Sequence, residues 1–189
     1  GRGHDLTLLK ELRFPDSLGL LYSAFTYFMG FKVNSGEYKI MGLAPYYKGD
    51  IDKNPVYQGL LEVFEWNSDD SMQWCRRPGI PRVGYLWKYL DELLTTQRFD
   101  TIAAGVQAFV EHFLVEWVKR CVRETGLSRL AVSGGTFMNV KANQAILSVP
   151  EVDELFVFPS CGDETNSVGA AYWYYAQQKL SANERAVSY

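Results

Sequence analysis

The feature that most constrains the fold is a pair of strand-to-helix junctions in the last third of the chain. Leu130–Val132 is an apolar run typical of a buried strand, and it breaks at Ser133–Gly135 just before a helical pattern begins. A second apolar run, Leu155–Phe158, ends at a Cys-Gly-Asp-Glu turn that another helical pattern follows. Successive strand–helix units are typical of a layered α/β architecture. We therefore predict strands at 129–133 and 154–158 that are neighbours in one sheet.

Apolar residues recur with helical spacing over residues 100–125, and we predict that this long amphipathic helix packs on the sheet. Asp100 is expected to cap its start and Gly126 to end it. The remaining predicted elements are helices at 17–29, 56–62, 85–94, 138–148 and 166–180, and a hairpin that carries Trp66 and Trp74.

These elements predict a single α/β lobe over residues 15–180. Residues 1–14 are expected to form a leading strand or linker, and residues 181–189 a polar tail. The stretch at about 47–82 is rich in Asp, Pro and Gly, so we predict that it is a peripheral insertion.

Composition excludes several classes of protein. Hydrophobic residues make up 47% of the chain and the net charge is −3, so a globular domain is expected and nucleic-acid binding is not. No segment offers the ~18 apolar residues that cross a membrane. Three cysteines without metal-ligand spacing indicate a reducing cytoplasm. The aromatic fraction of 15% indicates an extensive core or a partner surface, and an exposed apolar face would support a homo-oligomer.

The two junctions also carry the residues best suited to a ligand. Gly134 and Gly135 lack a Cβ, so a nucleotide can approach the backbone there, and Asn139 could reach a ribose or base. The alternative is a plain turn in which glycine only supplies the positive φ that the backbone requires there. Asp163 is a hard oxygen ligand suited to a divalent metal, or else a cap for the helix near Asn166.

Four motifs resemble the O-carbamoyltransferases, a family associated with carbamoylated nodulation factors and antibiotics. Its amino-terminal domain is related to the threonylcarbamoyl-adenosine synthesis proteins. The resemblance runs from Pro15 to Ala176. The motifs are Ser133-Gly-Gly-x-x-x-Asn139, Cys161-Gly-Asp-Glu164 with Val168-Gly-Ala-Ala171, Pro15-Asp-Ser-Leu-Gly-Leu-Leu-Tyr-Ser-Ala24, and Glu37-Tyr-Lys-Ile-Met-Gly-Leu-Ala-Pro-Tyr46.

The resemblance implies the second lobe of an actin/Hsp70/sugar-kinase-like ATPase domain, in which a nucleotide lies between two lobes. It implies that Gly134, Gly135 and Asn139 line a pocket for ATP or carbamoyl-adenylate. Asp163 would be one ligand of a divalent metal, iron or zinc, beside a His-x-x-x-His pair. This sequence has only His4 and His112, so we expect the pair to belong to a first lobe outside this chain.

Glu37 and Lys39 lie in the most family-specific motif and are our candidate catalytic residues. Lys39 could neutralise a phosphate, and Glu37 could orient an acceptor hydroxyl. The alternative is a structural loop docked by Tyr38, Met41 and Leu43, with both charges solvated.

The predicted function is therefore that of a fragment of an ATP-dependent O-carbamoyltransferase acting on a small-molecule hydroxyl. Activity is expected to need the first lobe and an adenylate-forming domain, so the chain alone should be inactive. One alternative is a kinase-like or chaperone-like nucleotide-binding module of the same fold. Another is an interaction domain whose Gly-Gly turn is purely structural. The Glu-Tyr-Lys-Ile-Met-Gly-Leu-Ala-Pro run favours the carbamoyltransferase, since neither alternative requires it.

Overall fold

The computed structural model describes residue 1 and residues 6–68 and 71–177 as a mixed α/β structure. Its helices and strands are α1 (Leu18–Phe28), α2 (Glu37–Leu43), α3 (Pro55–Leu61), β1 (Phe64–Trp66), β2 (Trp74–Arg76), α4 (Leu86–Tyr89), α5 (Asp91–Thr95), α6 (Phe99–Thr125), β3 (Arg129–Val132), α7 (Val140–Leu147), β4 (Glu154–Val157) and α8 (Thr165–Gln177). Short 3-10 turns lie at Ala44–Tyr46, Ile51–Lys53, Val83–Tyr85 and Gly135–Met138.

Helix α6 is the axis of the core. It contacts α2, α3 and α7, and its Val106 and Phe109 are fully buried. The helix ends as predicted at Gly126, which adopts a left-handed φ of 68°. There the Gly126 N–H donates to the Val122 carbonyl at 2.8 Å, which satisfies one of the last orphan carbonyls.

The start of α6 differs from the prediction. The helix begins at Phe99, and Arg98 occupies the N-cap position without a side-chain capping bond. Asp100 lies inside the first turn, where its carboxylate accepts from the Thr101 N–H at 3.0 Å and pairs with Arg98. In this position the negative charge of Asp100 still interacts favourably with the positive end of the helix dipole.

Helix α3 packs closely on α6 through a buried asparagine and a glycine. The Asn54 side chain caps α3 by accepting from the N–H groups of Val56 and Tyr57 at 3.0 Å. Its amide nitrogen donates to the Thr101 carbonyl of α6 at 2.9 Å. A Cβ on Gly105 would lie 2.7 Å from Asn54 Oδ1 and 2.8 Å from Tyr57 N. Only glycine therefore fits at this crossing.

Part of the polar stretch at 47–82 is buried, in contrast to the peripheral position that we expected. Val56 and Leu60 are fully buried against α6. Gln58, between them, is exposed, so α3 has one buried apolar face within a stretch that is polar on average.

The predicted hairpin is confirmed, and it brings tryptophans onto α6. Strands β1 and β2 pair antiparallel, with Trp66 opposite Trp74. The Trp66 ring stacks on Phe113 at 4.7 Å between centroids, and the Trp74 ring meets Phe113 edge-on at 5.1 Å. Such aromatic pairs add ~0.5–1.5 kcal/mol each beyond the burial of their area.

The two predicted strands are neighbours in one parallel sheet, as expected. Strand β3 pairs with β4 from Arg129 opposite Glu154 to Val132 opposite Val157. Leu130 and Leu155 pack against the core through which α6 runs. The opposite face of the sheet is open, and Phe156 on that face is 52% exposed.

Helix α8 exposes an aromatic surface. We call this the α8 surface; its large apolar side chains are Val168, Tyr172, Trp173, Tyr174 and Tyr175. Every one of them is at least 40% exposed. The predicted end of this helix, residues 178–180, and the predicted tail lie outside the described residues.

One local prediction of helix length was wrong: the segment at 85–94 is not a single helix but is broken into α4 and α5. Residues 6–14 form no strand, so the linker alternative for the start of the chain remains. The glycine-punctuated segment from 36 to 45 is mainly helical, because Gly36 precedes α2 and Gly42 is tolerated in its last turn. The α/β class is confirmed, whereas the assignment to a second ATPase lobe stays a prediction. No helix in the described ranges combines the length and the apolar character that crossing a bilayer requires.

We predict that Gly105→Ala destabilises the protein by ~1–3 kcal/mol, because the added methyl group meets the capped start of α3. Gly42→Ala is the matched control, since a Cβ there meets nothing within 4 Å. It should be neutral or stabilise by up to ~1 kcal/mol through helix propensity. Urea unfolding curves measure both, and equal effects of the two changes would contradict the close packing of α3 on α6.

Candidate functional site

The glycine turn, residues 133–139, leaves the sheet directly after β3. Gly134 has φ 99° and ψ 155°, a conformation that L side chains rarely adopt. The turn closes when the Phe137 N–H donates to the Gly134 carbonyl at 2.9 Å. A Cβ on Gly134 or Gly135 would meet no atom within 4 Å, so the open space beside this backbone faces outward. A ligand can approach the main chain there closely.

Asn139 ends the glycine turn and caps α7. Its Oδ1 accepts from the Ala142 N–H at 3.1 Å. The same carboxamide pairs with that of Gln107 in α6: Asn139 Nδ2 donates to Gln107 Oε1 at 3.1 Å, and Gln107 Nε2 donates to Asn139 Oδ1 at 3.0 Å. The side chain is thus held by the protein itself, and its contact with a nucleotide stays a prediction.

Gln107 is a residue of this site that the sequence patterns did not single out. It is 4% exposed and also accepts from the Tyr22 hydroxyl at 2.7 Å. Its Nε2 donates to Glu111 Oε1 at 2.7 Å. The available signal was an amide within the apolar stretch of α6, since a buried amide needs several partners.

Tyr22 provides a stable donor to this network. Burial raises the pKa of its hydroxyl, and the negative charges of Glu111 and Glu37 raise that pKa further. The phenol therefore keeps its proton throughout the physiological range and continues to donate to Gln107.

The second turn, residues 159–164, follows β4 and is closed by its own side chains. Ser160 has a positive φ of 58°, and its hydroxyl donates to Glu164 Oε1. This bond, followed by those from the backbone N–H groups of Glu164 and Gly162, lowers the pKa of the Glu164 carboxyl. The Cys161 thiol is buried and donates to the Phe158 carbonyl at 2.7 Å. The side chains of Glu164 and Cys161 therefore stabilise the turn through these hydrogen bonds.

Asp163 is exposed in that turn. Within the described chain its carboxylate accepts no hydrogen bond, so the structure does not support the alternative of a helix cap; only its main-chain carbonyl accepts, from Asn166. No group of three or more His, Cys, Asp or Glu side chains among the described residues could hold a metal ion. Asp163 is consequently a single candidate ligand, and these residues do not form a complete metal centre.

The glycine turn and the Asp163 turn leave the same edge of the sheet. Because β3 and β4 are parallel neighbours with Val132 opposite Val157, their carboxyl ends lie side by side. Ligands of α/β sheets characteristically bind outside that edge.

Glu37 is the first residue of α2, and its carboxylate is already occupied. Oε1 accepts from the Asn34 N–H at 2.8 Å and the Ser23 hydroxyl at 3.1 Å, and Oε2 accepts from the Gly36 N–H at 3.0 Å. Burial acts to raise the pKa of this carboxyl, but the hydrogen bonds outweigh it and the pKa is lowered. Glu37 is therefore a weak base that anchors its loop.

Lys39 lies on the exposed side of α2. Its ammonium group is 5.3 Å from the centroid of the Phe31 ring, a cation–π contact. The helix is anchored by Ile40, which is fully buried, whereas Tyr38 is 63% exposed and does not dock the segment as the structural alternative supposed.

A shallow cavity of about 310 Å³ lies elsewhere, at the start of the chain and β2. Its lining includes Arg13, Asp16 and Trp74. None of its lining residues belongs to the glycine turn or the Asp163 turn, so it is not part of the candidate site.

A glycine turn and an acidic turn thus lie at one edge of a parallel sheet, the place where α/β domains characteristically bind their ligands. The family model described as Carbamoyltransferase N-terminus matches residues 1–172. The chain belongs to that family, which confirms the resemblance noted in its motifs.

Several relatives match most of this chain. An uncharacterised protein of Synechocystis sp. is 35% identical, covering 99% of this chain and 31% of the relative. An uncharacterised protein of Methanocaldococcus jannaschii is 30% identical over 82% of this chain and 25% of the relative. Nodulation protein NolO of Bradyrhizobium diazoefficiens is 30% identical over 89% of this chain and 30% of its own length. The chain thus spans less than a third of each of these relatives.

We predict that Glu37→Gln lowers the free energy of unfolding by ~1–2 kcal/mol at pH 7, because charge-assisted bonds to the loop are weakened. The folded pKa lies below the ordinary value of 4.5. The carboxylate therefore stabilises the fold above pH 4.5, and this contribution is lost as the pH falls through the folded pKa.

Chemical denaturation of the wild type and of Glu37→Gln at pH 7 and at pH 3 measures this difference. The gap between the two proteins should shrink at pH 3. Glu151→Gln, at an exposed position, is the control and should show no gap at either pH. A gap for Glu37→Gln that is equally large at both pH values would show that its carboxylate charge is irrelevant.

Proposed function

We propose that this chain is part of an ATP-dependent O-carbamoyltransferase and holds ATP or carbamoyl-adenylate while the carbamoyl group passes to a small-molecule hydroxyl. The observation that carries the proposal is the open glycine turn, with Gly134 at φ 99°, at the same sheet edge as the free carboxylate of Asp163. Membership of the carbamoyltransferase family supports the type of reaction.

The glycine turn suits the nucleotide part of such a ligand. Gly134 and Gly135 leave their backbone uncovered, and the turn leads into α7, whose amino-terminal end carries positive partial charge. Main-chain N–H groups so exposed can donate to phosphate oxygens or to the oxyanion that forms during acyl transfer.

Lys39 and Glu37 take the roles of charge and orientation in this proposal. Lys39 is exposed and available to a phosphate. The low pKa of Glu37 makes it a poor proton acceptor. Its Oε2 accepts only one hydrogen bond within the described chain, from the Gly36 N–H, so we assign this oxygen the task of accepting a second bond from the acceptor hydroxyl while another group takes the proton.

The remainder of the active protein is proposed to come from outside this chain. Among the described residues, no group of three or more His, Cys, Asp or Glu side chains could hold a metal ion, so further ligands beside Asp163, for iron or zinc, would come from a first lobe with a His-x-x-x-His pair. An adenylate-forming domain would supply the activated carbamoyl group. The relatives' greater length leaves room for both.

The α8 surface and the open sheet face that carries Phe156 are the proposed docking surface for that first lobe. The α8 surface and Phe156 are apolar and exposed in the described chain, and the same sheet face also carries the Arg129–Glu154 ion pair at 3.8 Å. A second copy of the chain could cover the same surface when the first lobe is absent, which would give a homo-oligomer.

We expect the isolated chain to bind ATP weakly and to transfer no carbamoyl group, since one lobe keeps only part of the contacts.

In the full-length protein, Gly135→Val should abolish ATP binding in calorimetry by filling the space beside the turn. The fold should survive, because a Cβ on Gly135 meets nothing within 4 Å. Gly84→Val, at another open glycine, is the control. Normal ATP affinity of Gly135→Val would refute the glycine site.

Asp163→Ala in the full-length protein should reduce bound metal and turnover without lowering the melting temperature, because its carboxylate makes no hydrogen bond within the described chain. Elemental analysis after gel filtration measures the metal. Glu164→Gln is the matched control, since that side chain already accepts from Ser160, and it should retain the metal. Full metal content in Asp163→Ala would remove this residue from the site.

A further inference from the structure

We propose that Gln107 is a positioning residue for the glycine turn and acts through Asn139. The inference rests on the proposed nucleotide site, because it concerns how that site is kept ready for its ligand. It assigns a role to a residue of the core helix that lies outside every motif of the sequence.

The Gln107 carboxamide has a partner in every direction. Its Nε2 donates to Asn139 Oδ1 at 3.0 Å and to Glu111 Oε1 at 2.7 Å. Its Oε1 accepts from the Tyr22 hydroxyl at 2.7 Å and from Asn139 Nδ2 at 3.1 Å. Both donor hydrogens and both lone pairs are used. The group is therefore held in one orientation, and no flip of its amide would keep these bonds.

The partner of this amide is the residue that fixes the end of the turn. Two hydrogen bonds join the Gln107 and Asn139 carboxamides face to face, while Asn139 Oδ1 also caps α7 through Ala142. Loss of Gln107 would leave the Asn139 carboxamide with one of its three hydrogen bonds, the cap to Ala142. Through this pair, the rigid helix α6 holds the end of the glycine turn in one orientation.

The rest of the turn is held from two other sides. Asn143 Nδ2 in α7 donates to the Phe137 carbonyl at 2.7 Å. From α1, a Cβ on Gly19 would lie 3.0 Å from Thr136 Oγ1, so α1 approaches the turn closely. The backbone of Gly134 and Gly135 has no side chain of its own to hold it, and the flanking residues must supply the order. Gln107 is the contribution of the core helix.

A preformed turn matters because a ligand that must first order flexible glycines loses affinity to that ordering. Removal of a carboxamide pair of this kind is expected to weaken ligand affinity on the order of tenfold. That loss should appear in ligand binding at temperatures where the fold itself is intact.

The first test is spectroscopic and needs no ligand. Gln107→Met keeps a similar volume and removes all four hydrogen bonds. In ¹H–¹⁵N spectra of this chain, the Asn139 side-chain amide and the Gly134, Gly135 and Thr136 backbone signals should shift or broaden. Tyr22→Phe, which removes one bond to Gln107 but leaves the Asn139 pair, should move these signals less. Unchanged turn signals in Gln107→Met would overturn the proposal.

The second test is ATP binding by calorimetry in the full-length protein. Gln107→Met should weaken ATP binding about tenfold, and Tyr22→Phe should weaken it less. If Gln107 acts through Asn139, then Gln107→Met combined with Asn139→Ala should bind no more weakly than Asn139→Ala alone. A general structural role would instead give additive losses, or a lower melting temperature without a change in affinity, and either result would overturn the proposal.

The two tests separate this inference from the proposed function. If the wild-type full-length protein binds no ATP while Gln107→Met still disturbs the turn signals, the nucleotide site is wrong and the positioning role of Gln107 stands. If the wild type binds ATP and Gln107→Met binds it equally well, the nucleotide site stands and the role of Gln107 is wrong.

Discussion

The close packing of secondary structure around α6 is the constraint on which the rest of this structure depends. Helix α3 reaches it only because Gly105 leaves room for the capped Asn54, and the tryptophans of the hairpin reach it through Phe113. A core of this density resists both added and removed atoms. The elements on either side of α6 therefore have little freedom to shift.

The same helix links the core to the candidate site. Gln107 lies one turn from Val110 on the buried part of α6, and its carboxamide pairs with Asn139 at the end of the glycine turn. Polar groups are costly in a core unless every partner is present, and here they are. A buried polar network of this kind joins three helices at the edge of the sheet where the family motif lies.

The local features of the fold were predictable where one residue type has one strong preference. Gly126 ends α6 and Gly134 breaks β3 because each takes a left-handed φ that other residues avoid. The pairing of β3 and β4 in one sheet was predicted from the strand–helix alternation. The predicted N-cap position of Asp100 was wrong, because an aspartate is favourable both at the N-cap and in the first turn of a helix. For the candidate site, the sequence suggested two glycines and Asp163, whose roles stay predictions, but it did not indicate that the Glu37 carboxylate is already hydrogen-bonded to its own loop.

The sequence by itself determined the periodic elements, the turn glycines and the family, because these depend on residues close together in the chain or on a continuous motif. Only the tertiary structure decided which polar side chains meet. Tyr22 and Gln107 are 85 positions apart, and Gln107 and Asn139 are 32 apart. No local pattern specifies such pairs, since they form only after the helices that carry them have packed. The role of each carboxamide and carboxylate therefore depends on the finished core.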